Sequence, residues 1–461
     1  MKKIISIVLV LTMSLSVLVG CGNNEKTSEN NEKTVENNEK TPEKVKLEGI
    51  FYFSEAEADA NSIYDAFFRG VNKYKDTYPE VELDFEYIPY GSYEQKLNIL
   101  AAGSNLPDVF QLKGQAVSNF VENERLLNLN YLFENDQKWA NSFKVAANDN
   151  FIVDNNNYGV VQDLGGTTSL IFYNKEILKE AGYTEFPETM PEFIQMTKDI
   201  NEAGYTPIAM GNKGAWVAQS CYISALTGLA GGNDWVQGLL KGENKFTDKE
   251  FILALEALQQ LAKEGAFNSD LNSIDNAQQK TVYYNKKAAM FVEGSWSVNE
   301  VITNAPQDVL ENTGIAYFPA IESGKGKPDT LTGGAAGWSI SANSKLENND
   351  AKKVAVENFM KMIVSDESAK YIYEHGIVPA TNVDSYDTSA LQQLQVRYMT
   401  MASEGAKTLV LDSVLSAQVI EVMNAGLQEL LIDVVTPEEL ANRIQTEMEK
   451  LKNNIQDLMF Y

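Results

Sequence analysis

One histidine, His375, and two cysteines, Cys21 and Cys221, are all this chain offers for imidazole or thiol chemistry. The usual zinc motifs and a Ser-His-Asp triad are hard to build from that set. His375 precedes Gly376 at an expected helix end, where a cation suits the dipole. No intramolecular disulfide can form unless Cys21 stays unmodified. What remains is 64 carboxylates, 5 tryptophans and 21 tyrosines. Flat rings and rim carboxylates or amides are the groups that grip a ligand rich in hydroxyls and C–H faces. Trp216 closes the run Gly211-Asn212-Lys213-Gly214-Ala215-Trp216, after a strand ending near Met210, and a ring on such a loop suits a site. Gln111 and Lys113 follow a strand begun at Asp108, and Asp412 follows the apolar run Thr408 to Leu411. Gly333-Gly334 permits close backbone approach, whether to a ligand or within an ordinary turn. Trp338 lies in a strand-like run where packing competes with ligand contact, while Trp139, Trp235 and Asp108 read as structural.

Those residues need elements to aim them. Leu47 to Phe53 reads as a buried strand. Asn61 to Tyr78 reads as a helix, with Ile63, Phe67, Val71 and Tyr74 on one stripe and Pro79 just beyond. Val81, Leu83, Phe85 and Tyr87 alternate with Glu82, Asp84 and Glu86, as in a strand with one buried face. Tyr93 to Ala102 is a predicted helix, broken by Gly103 to Pro107 before the short strand Asp108 to Leu112. Ser169 to Tyr173 reads as a strand and Lys175 to Ala181 as a helix stopped by Gly182. Asp154 to Gly159 looks like a hairpin turn; lacking the distal Glu of an EF-hand loop, it is not expected to hold calcium. Thr436-Pro437-Glu438-Glu439 is a capping box opening a helix with Leu440, Ile444, Met448 and Leu451 on its buried stripe. Strands alternating with helices predict an α/β chain with a largely parallel sheet.

At the N-terminus, Lys2 and Lys3 precede the apolar run Ile4 to Val17, and Leu18-Val19-Gly20-Cys21 comes next. This is the layout of a secretory signal, too short to span a bilayer, and it resembles the lipobox of bacterial lipoproteins. The resemblance implies a signal peptide over 1–20, cleavage before Cys21 and a lipid on its thiol. Residues 21–44 carry Asn-Asn-Glu-Lys-Thr three times and almost nothing apolar, so they read as a disordered tether. Losing Lys2 and Lys3 with the signal takes the net charge from −26 to −28. Such a surface excludes nucleic acid as a partner and argues against an electrostatic grip on anionic lipid. Roughly 415 residues then remain, more than one core accommodates.

Several phrases, in order, resemble the large sugar-binding family of extracellular solute-binding proteins of ABC importers. They include Tyr78-Pro79-Glu80-Val81, Ala101-Ala102-Gly103-Ser104, Pro107-Asp108-Val109-Phe110 and Phe172-Tyr173-Asn174-Lys175. Phe186-Pro187-Glu188-Thr189 with Glu192, Ala288-Ala289-Met290, Glu293-Gly294-Ser295-Trp296, Phe318-Pro319, and Gly376 with Pro379-Ala380 continue the series. Met190 departs from it, standing where the family usually places a Trp; that Trp is read as packing. The resemblance implies a two-lobed α/β fold of the periplasmic-binding-protein kind, with the ligand in a cleft between lobes joined by crossing hinge segments. By analogy lobe one is 45–165 plus 324–376 and lobe two is 166–323 plus 377–461, with crossings near Gly165-Gly166 and Ser323-Gly324. It implies ligand contacts from Trp296, with Glu293 and Ser295 as polar neighbours, and from a carboxylate after the first strand. Glu55 is the candidate there, with Glu57 and Asp59 as competitors. Asp163, in the first crossing segment, could reach either lobe, and Gly334 could bring backbone to the ligand. The implied function is capture of a carbohydrate, an oligosaccharide by preference, by a monomer anchored outside the cell membrane that serves an ABC permease without cofactor or catalysis. The rival is a lipid-anchored glycosidase, which needs two carboxylates about 5–10 Å apart with split pKa values; the sequence singles out no such pair. A third reading keeps the fold and changes the ligand to a non-sugar solute.

Overall fold

The computed structural model describes residues 44–458, apart from 145, 146, 165 and 334–336 and from the side chains of 59, 60, 403 and 452–458. Cys21, the tether, Gly334 and the side chain of Asp59 therefore lie outside the described residues. Two four-stranded sheets are built, in chain order, from Val45–Phe51 (β1), Val81–Tyr87 (β2), Val109–Lys113 (β3), Leu170–Asn174 (β4), Thr206–Ala209 (β5), Ala288–Glu293 (β6), Thr313–Ala316 (β7) and Trp338–Ala342 (β8). The helices that bear on the site are Ser62–Thr77 (α1), Tyr90–Ala102 (α2), Trp296–Asn304 (α3), Asp350–Ile363 (α4), Asp366–Glu374 (α5), Gln393–Glu404 (α6) and Leu411–Val414 (α7).

The first sheet runs β8-β3-β1-β2, with β1 parallel to β2 and β3 and β8 antiparallel at the edge. The second runs β5-β6-β4-β7; β4 is antiparallel to β6 and β7, and only β5 and β6 pair in parallel. The expected parallel pairing thus holds in lobe one and fails in lobe two. Alternation of strand and helix fixes direction only when each helix returns the chain to the same sheet, whereas β4 is entered from the segment leaving the first lobe.

Each lobe has its own core. In lobe one Asn61 caps α1, its Oδ1 accepting from the Ile63 and Tyr64 N–H groups. The buried stripe Phe67, Val71 and Tyr74 then packs on the sheet, where the Phe51 ring lies 4.7 Å from Phe67 and 5.0 Å from Phe85. Asp108 ties this layer together, as its sequence context suggests. Its Oδ2 accepts from the Glu48 N–H at 2.9 Å and pairs with the Lys352 ammonium of α4 at 2.7 Å. In lobe two Met190, standing where the resemblance expects a Trp, is buried in the same cluster as Phe193, Leu226 and Phe251. A second cluster there stacks Phe172 on Phe291 and seats α3 and α6 through Val298, Val301 and Tyr398. The 154–159 segment is a hairpin: Ile152–Val153 pairs with Asn156–Asn157, and Asp154 and Asn155 take φ 51 and 63, as a tight hairpin turn requires. At Thr436 the capping box is reciprocal. No described helix is long and apolar enough to cross a membrane.

The crossing segments keep pairing with the lobe they leave, because buried backbone groups need partners. Lys325 and Gly326 donate to the carbonyls of Ala230 and Leu229, and Thr330–Thr332 pairs with Ala406–Thr408, so 325–332 packs on lobe two. Beyond 376 the chain still bridges to lobe one, Pro379 to Asp163 and Thr381 to Phe143. Two amides supply direct hydrogen bonds between the lobes. Asn299 of α3 donates through Nδ2 to Ser62 Oγ of α1 and to the His375 carbonyl (3.1 Å) at the end of α5. Gln395 of α6 donates to the same carbonyl (3.0 Å) and to Asn299 Oδ1 (2.9 Å). Ser62, Asn299 and Gln395 are all buried. Gly376, at φ 79, makes the approach possible: a Cβ there would lie 3.0 Å from the Gln395 side chain, in a backbone region side chains avoid. At about 0.5–1.5 kcal/mol net per hydrogen bond, the three inter-lobe bonds amount to a bias of a few kcal/mol.

Two substitutions probe these ties. Asp108→Ala should destabilise the protein by about 1.5–3 kcal/mol, the range for hydrogen bonds to a charged group, read as a lower urea midpoint with unchanged slope. Asn299→Ala should leave the lobes less firmly apposed. Small-angle scattering of the unliganded protein should then give a larger radius of gyration, and an unchanged radius would show that other contacts hold the lobes.

Candidate functional site

Rings from both lobes converge where strands end. In lobe one Tyr52 follows β1, Tyr90 opens α2 just after β2, and Trp338 begins β8, paired in register with Lys113 at the end of β3. Because β8 runs opposite to β3, its first residue reaches the edge at which the others finish. In lobe two Trp216 follows β5 and Trp296 follows β6. The Tyr52 ring sits 4.5 Å from Trp338, 5.5 Å from Tyr90 and 5.9 Å from Tyr64. Tyr90 reaches across to Trp216 at 6.4 Å, and Trp216 lies 6.2 Å from Trp296. Ligand sites of open α/β sheets lie at the carboxyl ends of strands for this reason: neighbouring loops there face one space.

The two lobe-two tryptophans are held by devices that cost free energy. Ala215, just before Trp216, has φ 63, a left-handed conformation that a residue with a Cβ adopts at a cost. Trp296 opens α3 and donates its indole N–H to Glu293 Oε1 at 3.0 Å. That carboxylate is fully buried and also accepts from Gln279 and Asn276. Burial raises the Glu293 pKa, and the Lys280 ammonium pulls against that rise. Gly294 leaves room for the ring, since a Cβ there would lie 2.2 Å from it. Glu293 therefore aims Trp296, its oxygens already taken by protein donors. Ser295 exchanges hydrogen bonds with the Thr167 backbone and so binds this turn to the crossing segment.

A charged group spans the same space. The Lys113 ammonium pairs with Glu94 at 2.6 Å and lies 5.2 Å over Trp338 and 5.9 Å over Tyr90. Burial lowers its pKa, but the fields of Tyr90, Glu94 and Asp412 outweigh that and raise it. Asp412 of α7, in lobe two, has its own pKa raised by burial and lowered in turn by Lys113. Asp163 bridges to Pro379, and its charge is felt at Tyr52 of lobe one and Tyr398 of lobe two. Glu300 pairs with Lys280 and acts on Tyr64 across the lobes.

Of the residues expected at the site, the structure brings together Lys113, Asp163, Trp216, Trp296, Trp338 and Asp412, with Glu293 behind Trp296. Trp338 has Tyr52 and Lys113 packed around it, which limits what it offers a ligand. Gln111 is buried and its Oε1 accepts from the Tyr52 N–H at 3.0 Å, so it positions Tyr52. Glu55 is exposed and felt at Tyr87, which packs on Phe51 and Phe68 rather than on the cleft rings. Glu57 caps Ser54 and acts on Tyr64, nearer the cluster. Gly333, at φ 143, lies against the Gly166 and Thr167 backbone. Sequence reasoning missed Tyr52, Tyr64, Tyr90, Glu94, Lys280 and Glu300. Tyr90 was within reach of the strand-end rule that selected Lys113. Elsewhere, a cavity of about 770 Å³ is lined by Trp235, Asp248, Glu250 and Lys325 among others. Among its charged groups Lys325 pairs with Glu250, and Asp248 accepts from the Trp235 indole and the Lys245 N–H. No described group of three or more His, Cys, Asp or Glu is arranged to hold a metal ion.

Known proteins share this architecture. An ABC transporter extracellular-binding protein of Pyrococcus horikoshii is 24% identical over 238 residues, 50% of this chain and 53% of that protein. The multiple sugar-binding protein of Streptococcus mutans is 23% identical over 364 residues, 78% of each chain. A solved chitin oligosaccharide binding protein superposes with a TM-score of 0.78 at 23% identity, covering 88% of this chain and 99% of the other. The model of the bacterial extracellular solute-binding protein family matches residues 57–370, a span that contains both sheets' strand ends except β1 and all the cleft tryptophans. This chain therefore belongs to that family.

Proposed function

We propose that the chain is a lipid-anchored receptor that captures a carbohydrate, an oligosaccharide by preference, between its lobes and presents it to the permease of an ABC importer. One observation carries this reading: Tyr90, Trp216 and Trp296, drawn from both lobes, form a row with 6.4 and 6.2 Å between successive rings, and the charge of Asp412 acts on Tyr90 at one end of it. Such rings suit the C–H faces of sugars, and a carboxylate accepts from hydroxyls. The names of the Streptococcus mutans relative and of the chitin oligosaccharide binding protein point the same way. The signal and Cys21 support anchoring; the proposed hinges are the crossing near Gly166 and the second crossing, expected at Ser323-Gly324 and moved to near Gly333 because 325–332 pairs with lobe two.

The activity is binding without turnover. Lys113 and Lys280 hold Glu94 and Glu300 in ion pairs, and Glu293 orients Trp296, which takes these three carboxylates out of a split catalytic pair. Incubated with diverse oligosaccharides, the protein should leave each intact while some raise its melting temperature. Hydrolysis abolished by a single Asp or Glu substitution would replace this reading with a glycosidase.

Trp296→Ala should weaken the best of those sugars by roughly tenfold to a hundredfold, the range for loss of a buried aromatic contact, measured by calorimetry. Unaltered affinity would make Trp296 a packing residue. Cys21→Ser should release the protein from the membrane fraction or leave its precursor uncut; unchanged detergent partitioning would refute the anchor.

A further inference from the structure

We propose that the helix Asn276–Tyr284 is a bracket fixing how Trp216 and Trp296 stand to one another, and that Gln279 is the positioning residue on which it depends. This rests on the carbohydrate reading above and names a residue that sets affinity for the sugar without touching it. The two tryptophans arrive on separate turns, one after β5 and one after β6. Their rings lie 6.2 Å apart with planes inclined at 52°. Pairing of β5 with β6 ends at Ala209 and Phe291, so the ladder itself does not hold the turns beyond.

Gln279 is fully buried and joins both turns. Its Oε1 accepts at 2.7 Å from the N–H of Gly211, where the Trp216 loop begins. Its Nε2 donates to Glu293 Oε2 and, at 3.4 Å, to the Val292 carbonyl. Glu293 Oε1 in turn accepts from the Trp296 indole at 3.0 Å. One amide thus links the Trp216 loop to the carboxylate that aims Trp296, and all its bonds go to protein groups. Asn276 and Lys280 share its face of the helix. Asn276 donates to Glu293 Oε1 at 3.4 Å, and Lys280 pairs with Glu300, one turn beyond Trp296 on α3.

The Trp216 loop is also seated on the segment that enters this helix. The Asn212 and Lys213 N–H groups donate to the carbonyls of Leu271 and Ile274 at 2.7 and 3.0 Å. Gly211 permits that seat, since a Cβ there would lie 2.0 Å from the Asp275 carbonyl oxygen. Asp275 caps the helix, its Oδ1 accepting from the Ala277 and Gln278 N–H groups. Removing the Gln279 amide would strand the Gly211 N–H and deprive buried Glu293 of a donor. Both losses are relieved only when a turn shifts, and each turn carries a ring.

The test compares the protein with two variants. Gln279→Met keeps the length of the side chain and removes its hydrogen bonds. Gln279→Glu keeps an acceptor for Gly211 and removes the donor to Glu293, and it serves if the apolar variant fails to fold. Indoles this close couple excitonically, which gives a circular-dichroism couplet sensitive to their distance and angle. The part of the couplet lost in Trp216→Phe belongs to this pair, and it should shrink or change sign in each Gln279 variant without any ligand. Cellotriose, galactotriose and chitotriose are then titrated by calorimetry below the melting transition. The sugar that binds best should lose about tenfold in affinity, the equivalent of one buried hydrogen bond. A couplet unchanged in the folded variants overturns the bracket, and lowered stability alone makes Gln279 a core residue. A changed couplet with unchanged affinity overturns its role in recognition. If none of the three sugars binds the unsubstituted protein, the carbohydrate reading is what fails, while the couplet, read without ligand, still decides whether Gln279 places the rings.

Discussion

A parallel strand pair finishes at one edge, and that constraint governs most of this molecule. β1 pairs with β2 and β3 along matched registers, so Tyr52, Tyr90 and Lys113 leave the sheet on the same side. Antiparallel β8 adds Trp338 there because its start faces the end of β3. In lobe two, β5 and β6 repeat the arrangement with Trp216 and Trp296. Had any strand slipped by one residue, its side chains would have exchanged faces, and the ring would have entered the core. The hydrophobic layers under the sheets, with Phe51, Phe67 and Phe85 on one side and Phe172 and Phe291 on the other, are what prevent that slip.

Electrostatics set the second condition. Buried ionic groups are costly unless paired, and three near the cleft are: Glu293 with its donors and Lys280 nearby, Lys280 with Glu300, Lys113 with Glu94. The consequence is orientation. Trp296 is directed by a carboxylate it cannot leave without stranding a charge, and Tyr52 by the Gln111 amide. The site is therefore stiff at its aromatic groups, while its adjustable part is the spacing between lobes.

The elements of the first lobe were legible in sequence because their signals are local: the Asn61 cap, the Val81 to Tyr87 alternation, the break at Gly103 to Pro107. The direction of β4 was not, since it depends on a chain arriving from another domain. Trp216, Lys113 and Asp412 could be found by looking at the residues just past each strand or apolar run, whereas Trp296 followed from the family resemblance. Glu55 satisfied the same rule and lies elsewhere, because the short helical turn Glu55–Ala60 rotates it toward Tyr87. Gln111 faces Tyr52 for a similar reason: β3 has not yet ended there, and side chains within a strand alternate between faces. Tyr52 and Tyr90 were hidden inside segments read only for their apolar pattern, where a tyrosine counts as packing until its neighbours are known.

Helix α3 carries Trp296 at its first residue and Asn299 three residues later, one turn along the same face. The ring proposed to meet the ligand and the amide that touches the opposite lobe thus ride on a single rigid body. Asn299 and Gln395 recognise a serine hydroxyl and a backbone carbonyl, features indifferent to what occupies the cleft. The strength of holding and the choice of what is held are therefore written in separate residues. A lineage, or an engineer, can retune the amides to make the receptor greedier or quicker to let go while its taste in ligand stays the same.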